Sequence, residues 1–296
     1  MPLWKIGLPM ETPSPSSPRS GEGDVEKIGD FLITHAQGGM LPWAVEVQAA
    51  EEFSLSCREV ELAALAAEIV PARYQRNQNT LSLADQATLL KSHVAVIGCG
   101  GLGGYAIEEL ARLGIGKMTV IDPDTFEEHN LNRQILCTIN VLGMPKVDVA
   151  QARIRVINPA VEVIPVREAF SKEQGSEMLR GVQVAVDGLD SIPTRIQLAE
   201  VCDAMGIPLV YGSVGGWYGQ ITTQMPGQHS VQAIYQDYSG EYGIEKTLGN
   251  PSFSPALIAS LQAAEACKVL LGTGHCLARR MLFFNMLDME METLVL

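Results

Sequence analysis

Short apolar runs alternate with amphipathic stretches along most of this chain, and that rhythm predicts a mostly parallel sheet with helices on both faces. Residues 94–97, 118–121, 161–166, 182–186 and 208–214 are rich in Val, Ile and Leu and read as buried strands. Between them, residues 105–113, 147–156, 172–179 and 195–204 carry helical periodicity, with Ala106, Leu110 and Leu113 on one face of the first. From Gly215 to Thr223 the pattern changes and opens an antiparallel part. A long helix over 254–271 and strands over 280–285 and 290–295 close the chain. The expected class is α/β: a doubly wound, Rossmann-like, mostly parallel sheet with an antiparallel C-terminal extension and a small N-terminal helical appendage.

The pattern also divides the chain. The first 30 residues hold a Pro- and Ser-rich stretch over 11–18 and read as a disordered tail. Residues 31–71 form the appendage, with one helix over 43–53 and a second over 57–70 that Pro71 stops. Ser56 and Glu59 make a capping box at the start of the second helix. Two short helices joined by a tight turn suit either a DNA reader or a docking element. Their acidic side chains, Glu46, Glu51, Glu52, Glu59, Glu61 and Glu68, favour docking, because DNA binding needs cations. Residues 72–296 form the main domain. Within it, 226–252 is polar and bears Tyr235, Tyr238 and Tyr242, as a long surface loop would.

The candidate chemistry begins where the first main strand ends. Gly98, Gly100 and Gly103, with Gly101 between them, make G-x-G-x-x-G between a strand and a helix. In that setting glycines allow a tight turn and close backbone approach, and a phosphate can sit at the helix N-terminus. Asp122 ends the next strand and is placed to accept from ribose hydroxyls. Behind it come Asn130, Arg133, Gln134 and Lys146. Arg offers a planar fork to phosphate oxygens and Lys a point charge, so the set suits a nucleotide with more negative charge than NAD. His93 and His129 flank these motifs and carry no assignment. Cys99, Cys202 and Cys267 read as packing residues.

Composition narrows the field. The net charge of −13 argues against nucleic acid as the main partner. No apolar run is long enough to cross a membrane, and the N-terminus has no signal-peptide pattern. The six cysteines are dispersed, as in a cytoplasmic protein.

In chain order, RYQRN at 73–77, GCGGLG at 98–103, DPD at 122–124, NLNRQ at 130–134, GMPK at 143–146, INP at 157–159 and DGLD at 187–190 resemble the signature of the MoeB/ThiF/HesA family. These are bacterial relatives of ubiquitin-activating enzymes, and the resemblance runs over about residues 71–296. It implies ATP-dependent adenylation of the C-terminal glycine of a ubiquitin-fold sulfur carrier, of the MoaD or ThiS type, ending in Gly-Gly. Carried over by position, it implies that Asp122 holds the ribose. It likewise implies that Asn130, Arg133 and Lys146 grip phosphate, with Asp124, Gln134 and the glycines completing the ATP site. By the same resemblance Asp190 is expected to be the catalytic aspartate near magnesium, ranked above Asp187. Arg76 reaches into the neighbouring subunit's site, so a homodimer is implied, and the 226–252 region crosses over the partner's tail.

The chain departs from the pattern in places. Zinc-binding relatives carry paired Cys-x-x-Cys motifs and this chain has none, so no zinc site is expected. Relatives that form a thioester or persulfide have a cysteine in the loop before the late helix. Here residues 243–255 contain Thr247 and no cysteine, which favours plain adenylation. Asp190 is followed by Ser191 where the family often has Asn. Adenylation of another carboxylate, on a modified tRNA base, a peptide or a small molecule, is the alternative. An NAD(P) oxidoreductase has no use for Arg133 and Lys146. A non-catalytic nucleotide binder has no need of the full charged set.

Overall fold

The structure is a computed structural model that describes residues 22–238 and 240–296. Its N-terminal part is helical. Helix α1 (Glu22–His35), α2 (Trp43–Glu52) and α3 (Cys57–Ala66) surround a small core of Ile28, Leu32, Leu41, Ala49, Val60, Ala64 and Ile69. This corrects the expected tail. Residues 1–21 lie outside the described residues, but 22–30 are helical, and Ile28 and Leu32 are buried. The Ser56–Glu59 capping box forms as expected. Helix α3 ends sooner than predicted, and Pro71 does not stop it. The chain turns through Glu68 at a positive φ of 60°, which lets β2 (Val70–Pro71) pair in parallel with β1 (Met40–Leu41).

A buried polar cluster joins this appendage to the main domain. Arg73 donates to Glu46 of α2 at 2.8 Å and to Asn158 at 2.7 Å, and pairs with Glu61 of α3 at 2.9 Å. Tyr74 donates to Glu61 at 2.9 Å and accepts from Asn158 at 2.7 Å. Asn158 also donates to the Ala111 carbonyl. Two buried carboxylates thus share one arginine. Desolvation lifts Glu46 to about 7 and Glu61 to about 8, against the pull of Arg73.

The main domain starts with α4 (Leu83–Lys91), which the pattern did not predict. Its signal was a second capping box, Ser82 with Asp85, ahead of the buried Leu89 and Leu90. Then follow β3 (His93–Ile97), α5 (Gly101–Leu113), β4 (Lys117–Ile121), α6 (Lys146–Ile157), β5 (Glu162–Val166), α7 (Lys172–Met178), β6 (Val184–Asp187), α8 (Ile192–Met205) and β7 (Leu209–Gly215). The antiparallel part is β8 (Tyr218–Gln224), and two short helices, α9 (Ser230–Ile234) and α10 (Glu245–Leu248), interrupt the polar stretch after it. Helix α11 (Phe253–Leu271), β9 (Arg280–Asn285) and β10 (Glu290–Val295) complete the chain.

Among the described residues, eight strands form one sheet in the order β10-β9-β8-β7-β6-β3-β4-β5. The pairs from β7 to β5 are parallel and those from β10 to β7 antiparallel, as the pattern implied. One face packs Val94, Val96, Val120 and Val186 against α5, α6 and α11, and the other packs Ala95, Ile97, Ala185 and Tyr211 against α7 and α8. From β3 the chain runs to β4 and β5 on one side, then crosses to β6 on the other. That switch opens a crevice beyond the strand ends, where doubly wound sheets bind ligands.

The shared arginine generates a pH prediction. A carboxyl whose folded pKa lies above its unfolded value stabilises most at low pH, and loses that contribution as pH rises through the folded value. Between about pH 5 and 8, wild-type thermal stability should therefore fall more steeply than that of Glu61→Gln. Melting curves across that range check this; parallel slopes for the two proteins would contradict it.

Candidate active site

The site is built on close backbone contact at the ends of β3 and β6. A Cβ added to Gly103 would lie 1.6 Å from the Gly98 carbonyl oxygen, and one on Gly188 would lie 2.7 Å from the same oxygen. Gly98 itself has a φ of +93°, and a Cβ there would meet the Gly188 oxygen at 2.5 Å. Helix α5 consequently begins inside the glycine run, at Gly101, rather than at Tyr105 as its apolar periodicity suggested. Gly100 caps it, so the first amides of α5 face the crevice.

Asp122 anchors this loop from β4. Its Oδ2 accepts from the Cys99 amide at 2.7 Å and its Oδ1 from the Asp124 amide at 2.8 Å. Burial raises its pKa, with Lys146 and the two amides pulling the other way. A carboxylate can accept further hydrogen bonds, so ligand binding is compatible with this structural role. Lys146 stands at the start of α6, buried, donating to Asp124 at 2.9 Å and lying 3.8 Å from Asp122. Asn130 is buried and accepts from the Glu127 amide at 2.9 Å. Arg133 donates to the His129 carbonyl and to Asn132. Gln134 is buried, and its Oε1 has no partner among the described residues.

A cavity of about 940 Å3 occupies the crevice. Gly98, Gly100, Gly101, Asp122, Asp124, Arg133, Gln134, Lys146 and Asp190 line it, and a contiguous recess of about 430 Å3 adds Asn130 and His129. The structure thus gathers almost all of the sequence candidates in one place. Gly103 supports the loop from behind. Arg76 does not join them: it is exposed on the turn Ala72–Asn77, lines neither space, and pairs with nothing among the described residues. Thr247 is exposed on α10 and does not line the cavity.

The sequence reading missed what holds Asp190. Arg195 of α8 is buried, pairs with Asp187 at 3.3 Å, donates to the Gly212 carbonyl at 2.7 Å and also donates to the Leu189 carbonyl. Asp187 in turn accepts from the Leu189 amide at 2.9 Å. Desolvation lifts Asp187 to about 6, with Arg195 opposing. This grip fixes the 187–190 loop and leaves the Asp190 carboxylate exposed on the cavity wall. The only hint was an arginine one turn into a helix that follows two aspartates. Also missed was the far wall: Tyr218, Gln220 and Phe283 from the antiparallel strands, and Tyr242 to Lys246 from the strap above them. The strap is tied by Ile192 N donating to Glu241 O at 2.9 Å and Gly216 N to Gly249 O at 2.7 Å.

The ThiF family pattern matches residues 74–296. The chain belongs to the ThiF family. It is an adenylyltransferase of the ubiquitin-like-modifier-activating type, as its curated relatives support. It is 39% identical to the SAMP-activating enzyme E1 of Haloferax volcanii over 210 residues, which cover 70% of this chain and 78% of that protein. It is 34% identical to the sulfur carrier protein adenylyltransferase of Thermus thermophilus over 219 residues, covering 71% and 80%. The E. coli MccB structure with ATP shares the fold at a TM-score of 0.61 and 18% identity, covering 92% of this chain and 86% of that one. Coverage that wide extends into residues ahead of 74, so the shared fold takes in part of the helical appendage.

The glycine contacts predict a split between two neighbouring motif positions. Gly103→Ala drives a methyl into the Gly98 carbonyl and should lower the melting temperature sharply, since overpacking typically costs about 1–3 kcal/mol or more. Gly100→Ala places its methyl 3.6 Å from Gln134 Nε2, an ordinary contact, so only its backbone torsions oppose it and it should melt well above Gly103→Ala. Equal melting temperatures for the two variants would contradict the backbone packing described.

Proposed function

We propose that this adenylyltransferase uses ATP and magnesium to adenylate the C-terminal glycine carboxylate of a ubiquitin-fold sulfur-carrier protein. The observation that carries the reading is that one cavity joins a phosphate-suited end to a wall of the antiparallel extension. At the first end, the amides of α5 and the cations Arg133 and Lys146 suit the triphosphate, and Asp122 suits the ribose. The buried Oε1 of Gln134, without a partner among the described residues, suits a donor on the nucleotide. At the other end, the strap and strands β7–β9 leave a wall along which a carrier's C-terminal tail can lie. The names of the two sequence relatives, a SAMP-activating enzyme and a sulfur carrier adenylyltransferase, support a small protein as acceptor.

A carboxylate oxygen of the tail attacks the α-phosphorus, a new P–O bond forms, and the bond to the bridging oxygen breaks with release of pyrophosphate. Two anions must meet, so the chain's task is to position them and neutralise their repulsion. Lys146 and Arg133 do this at the phosphates. Asp190 fits as a magnesium ligand: its carboxylate is exposed on the wall shared by both recesses, and magnesium is usually held by one or two carboxylates with phosphates supplying further oxygens. When bound, the metal would offset phosphate charge.

Arg76 completes the site from the other subunit of a homodimer in this reading. Its exposure, its absence from the lining of its own chain's cavity and its lack of a partner among the described residues support such a role.

Pyrophosphate exchange into ATP, with carriers ending in Gly-Gly, with tRNA and with free amino acids as separate acceptors, tests the reading. Exchange is expected with a carrier; exchange with only tRNA or a small molecule would replace the acceptor. Arg133→Ala and Lys146→Ala should each remove most of the exchange, since a preorganised donor is worth about 3–4 kcal/mol. Near-normal exchange by either variant would remove its role. Mixing inactive Arg76→Ala with inactive Lys146→Ala should restore activity toward about half per mixed dimer, because one site is then intact. Mixed subunits that stay inactive would show that Arg76 does not act in trans.

A further inference from the structure

Three polar groups meet at the hydroxyl of Tyr211, which is fully buried on β7. Gln220 Nε2 of β8 donates to it at 2.8 Å, and the Tyr235 hydroxyl lies 2.7 Å away. An amide nitrogen only donates, so the Tyr211 oxygen is the acceptor from Gln220. The Tyr211 hydrogen then needs an acceptor, because a buried O–H left unpaired is costly. Tyr235 oxygen is the acceptor in reach. Gln220 therefore donates to Tyr211, and Tyr211 donates to Tyr235.

The hydrogen of Tyr235 is left without a partner among the described residues, and Tyr235 lines the cavity. Burial pushes its pKa up, with Arg195 opposing, so the hydroxyl stays protonated and remains a donor. The place of its two partners in the sheet indicates what it meets. Tyr211 and Gln220 sit on β7 and β8, three and four strands from β4, whose end carries Asp122. At ordinary strand spacing that is roughly 14 to 19 Å. Gln220 is two residues from Tyr218, whose ring stacks on Phe283 at 5.9 Å along the open antiparallel face. The donor thus lies on the cavity wall where the antiparallel extension meets Arg195 and the Asp190 loop. A neutral hydroxyl suits a neutral carbonyl there.

We propose that the Tyr235 hydroxyl, oriented by Tyr211 and Gln220, binds a main-chain carbonyl of the acceptor protein's C-terminal segment. The proposal rests on the adenylation reading above and names a residue that recognises the tail. Tyr235→Phe removes the hydroxyl and keeps the ring, including its edge contact with Tyr211; it also takes the acceptor from the Tyr211 hydrogen, so its melting temperature is measured beside its kinetics.

The test is steady-state pyrophosphate exchange by the full chain, with a recombinant ubiquitin-fold carrier ending in Gly-Gly as the probe. Tyr235→Phe should raise the carrier KM about 3- to 10-fold, as the loss of one neutral hydrogen bond does, with the KM for ATP and kcat within about twofold of wild type. An unchanged carrier KM overturns the proposal while leaving adenylation standing. A matching rise in the KM for ATP also overturns it, because the hydroxyl then serves the nucleotide or the fold. If wild type exchanges pyrophosphate with no carrier, the adenylation reading fails and the proposed tail contact falls with it.

Discussion

Everything in the site hangs on the contact between the Gly98 carbonyl and the backbones of Gly103 and Gly188. Those three residues lie too close for any side chain. The contact locks the turn after β3 to the turn after β6, so the start of α5 and the loop bearing Asp190 become one rigid unit. Asp122 fastens the unit to β4 through the Cys99 amide, and Arg195 fastens it to β7 through the Gly212 carbonyl. Removing a partner from a buried pair such as Arg195 and Asp187 typically costs about 3–5 kcal/mol. The geometry of the cavity is therefore set by backbone contacts and buried side chains that bind one another at its wall.

The electrostatic arrangement follows from the same frame. The chain carries a net charge of −13, yet Arg133 and Lys146 stand together on one cavity wall. Lys146 is held between Asp122 and Asp124. A cation fixed in this way needs little reorganisation when phosphate charge develops beside it, which is the condition under which such a donor is worth most. The appendage belongs to this economy of fixed charge as well. Arg73 ties Glu46 and Glu61 to Asn158 three residues before Arg76, so the turn that presents Arg76 is rooted in both parts of the chain.

Much of this was legible in the sequence, and the physical reason is that strand burial and glycine packing are local signals. Residues 94–97 could only be a buried strand, and G-x-G-x-x-G after it could only be a tight turn. The nine candidates on the main cavity wall and Asn130 came together as their order along the chain suggested. What was not legible depends on contacts between distant segments. Nothing near Ser191 reveals that Arg195 grips the Leu189 carbonyl, because Gly212 and Asp187 complete its environment only in the folded sheet. The helix over 22–30 was missed for the same reason: its burial depends on Leu41, Ala49 and Val60. Helix α3 was drawn too long because periodicity does not register a left-handed residue such as Glu68. Tyr235 read as part of a polar loop, and its role emerges only beside Tyr211 and Gln220.

The most direct test of the account is the mass of the acceptor itself. The full chain is incubated with ATP, magnesium and a ubiquitin-fold carrier ending in Gly-Gly, then quenched in acid and examined by intact-mass spectrometry. The account predicts a carrier heavier by one adenylyl group, carried on its terminal glycine, and no such product from the same carrier with its terminal carboxylate amidated. A carrier of unchanged mass, in the presence of ATP hydrolysis or of an adenylylated tRNA or small molecule, would contradict it.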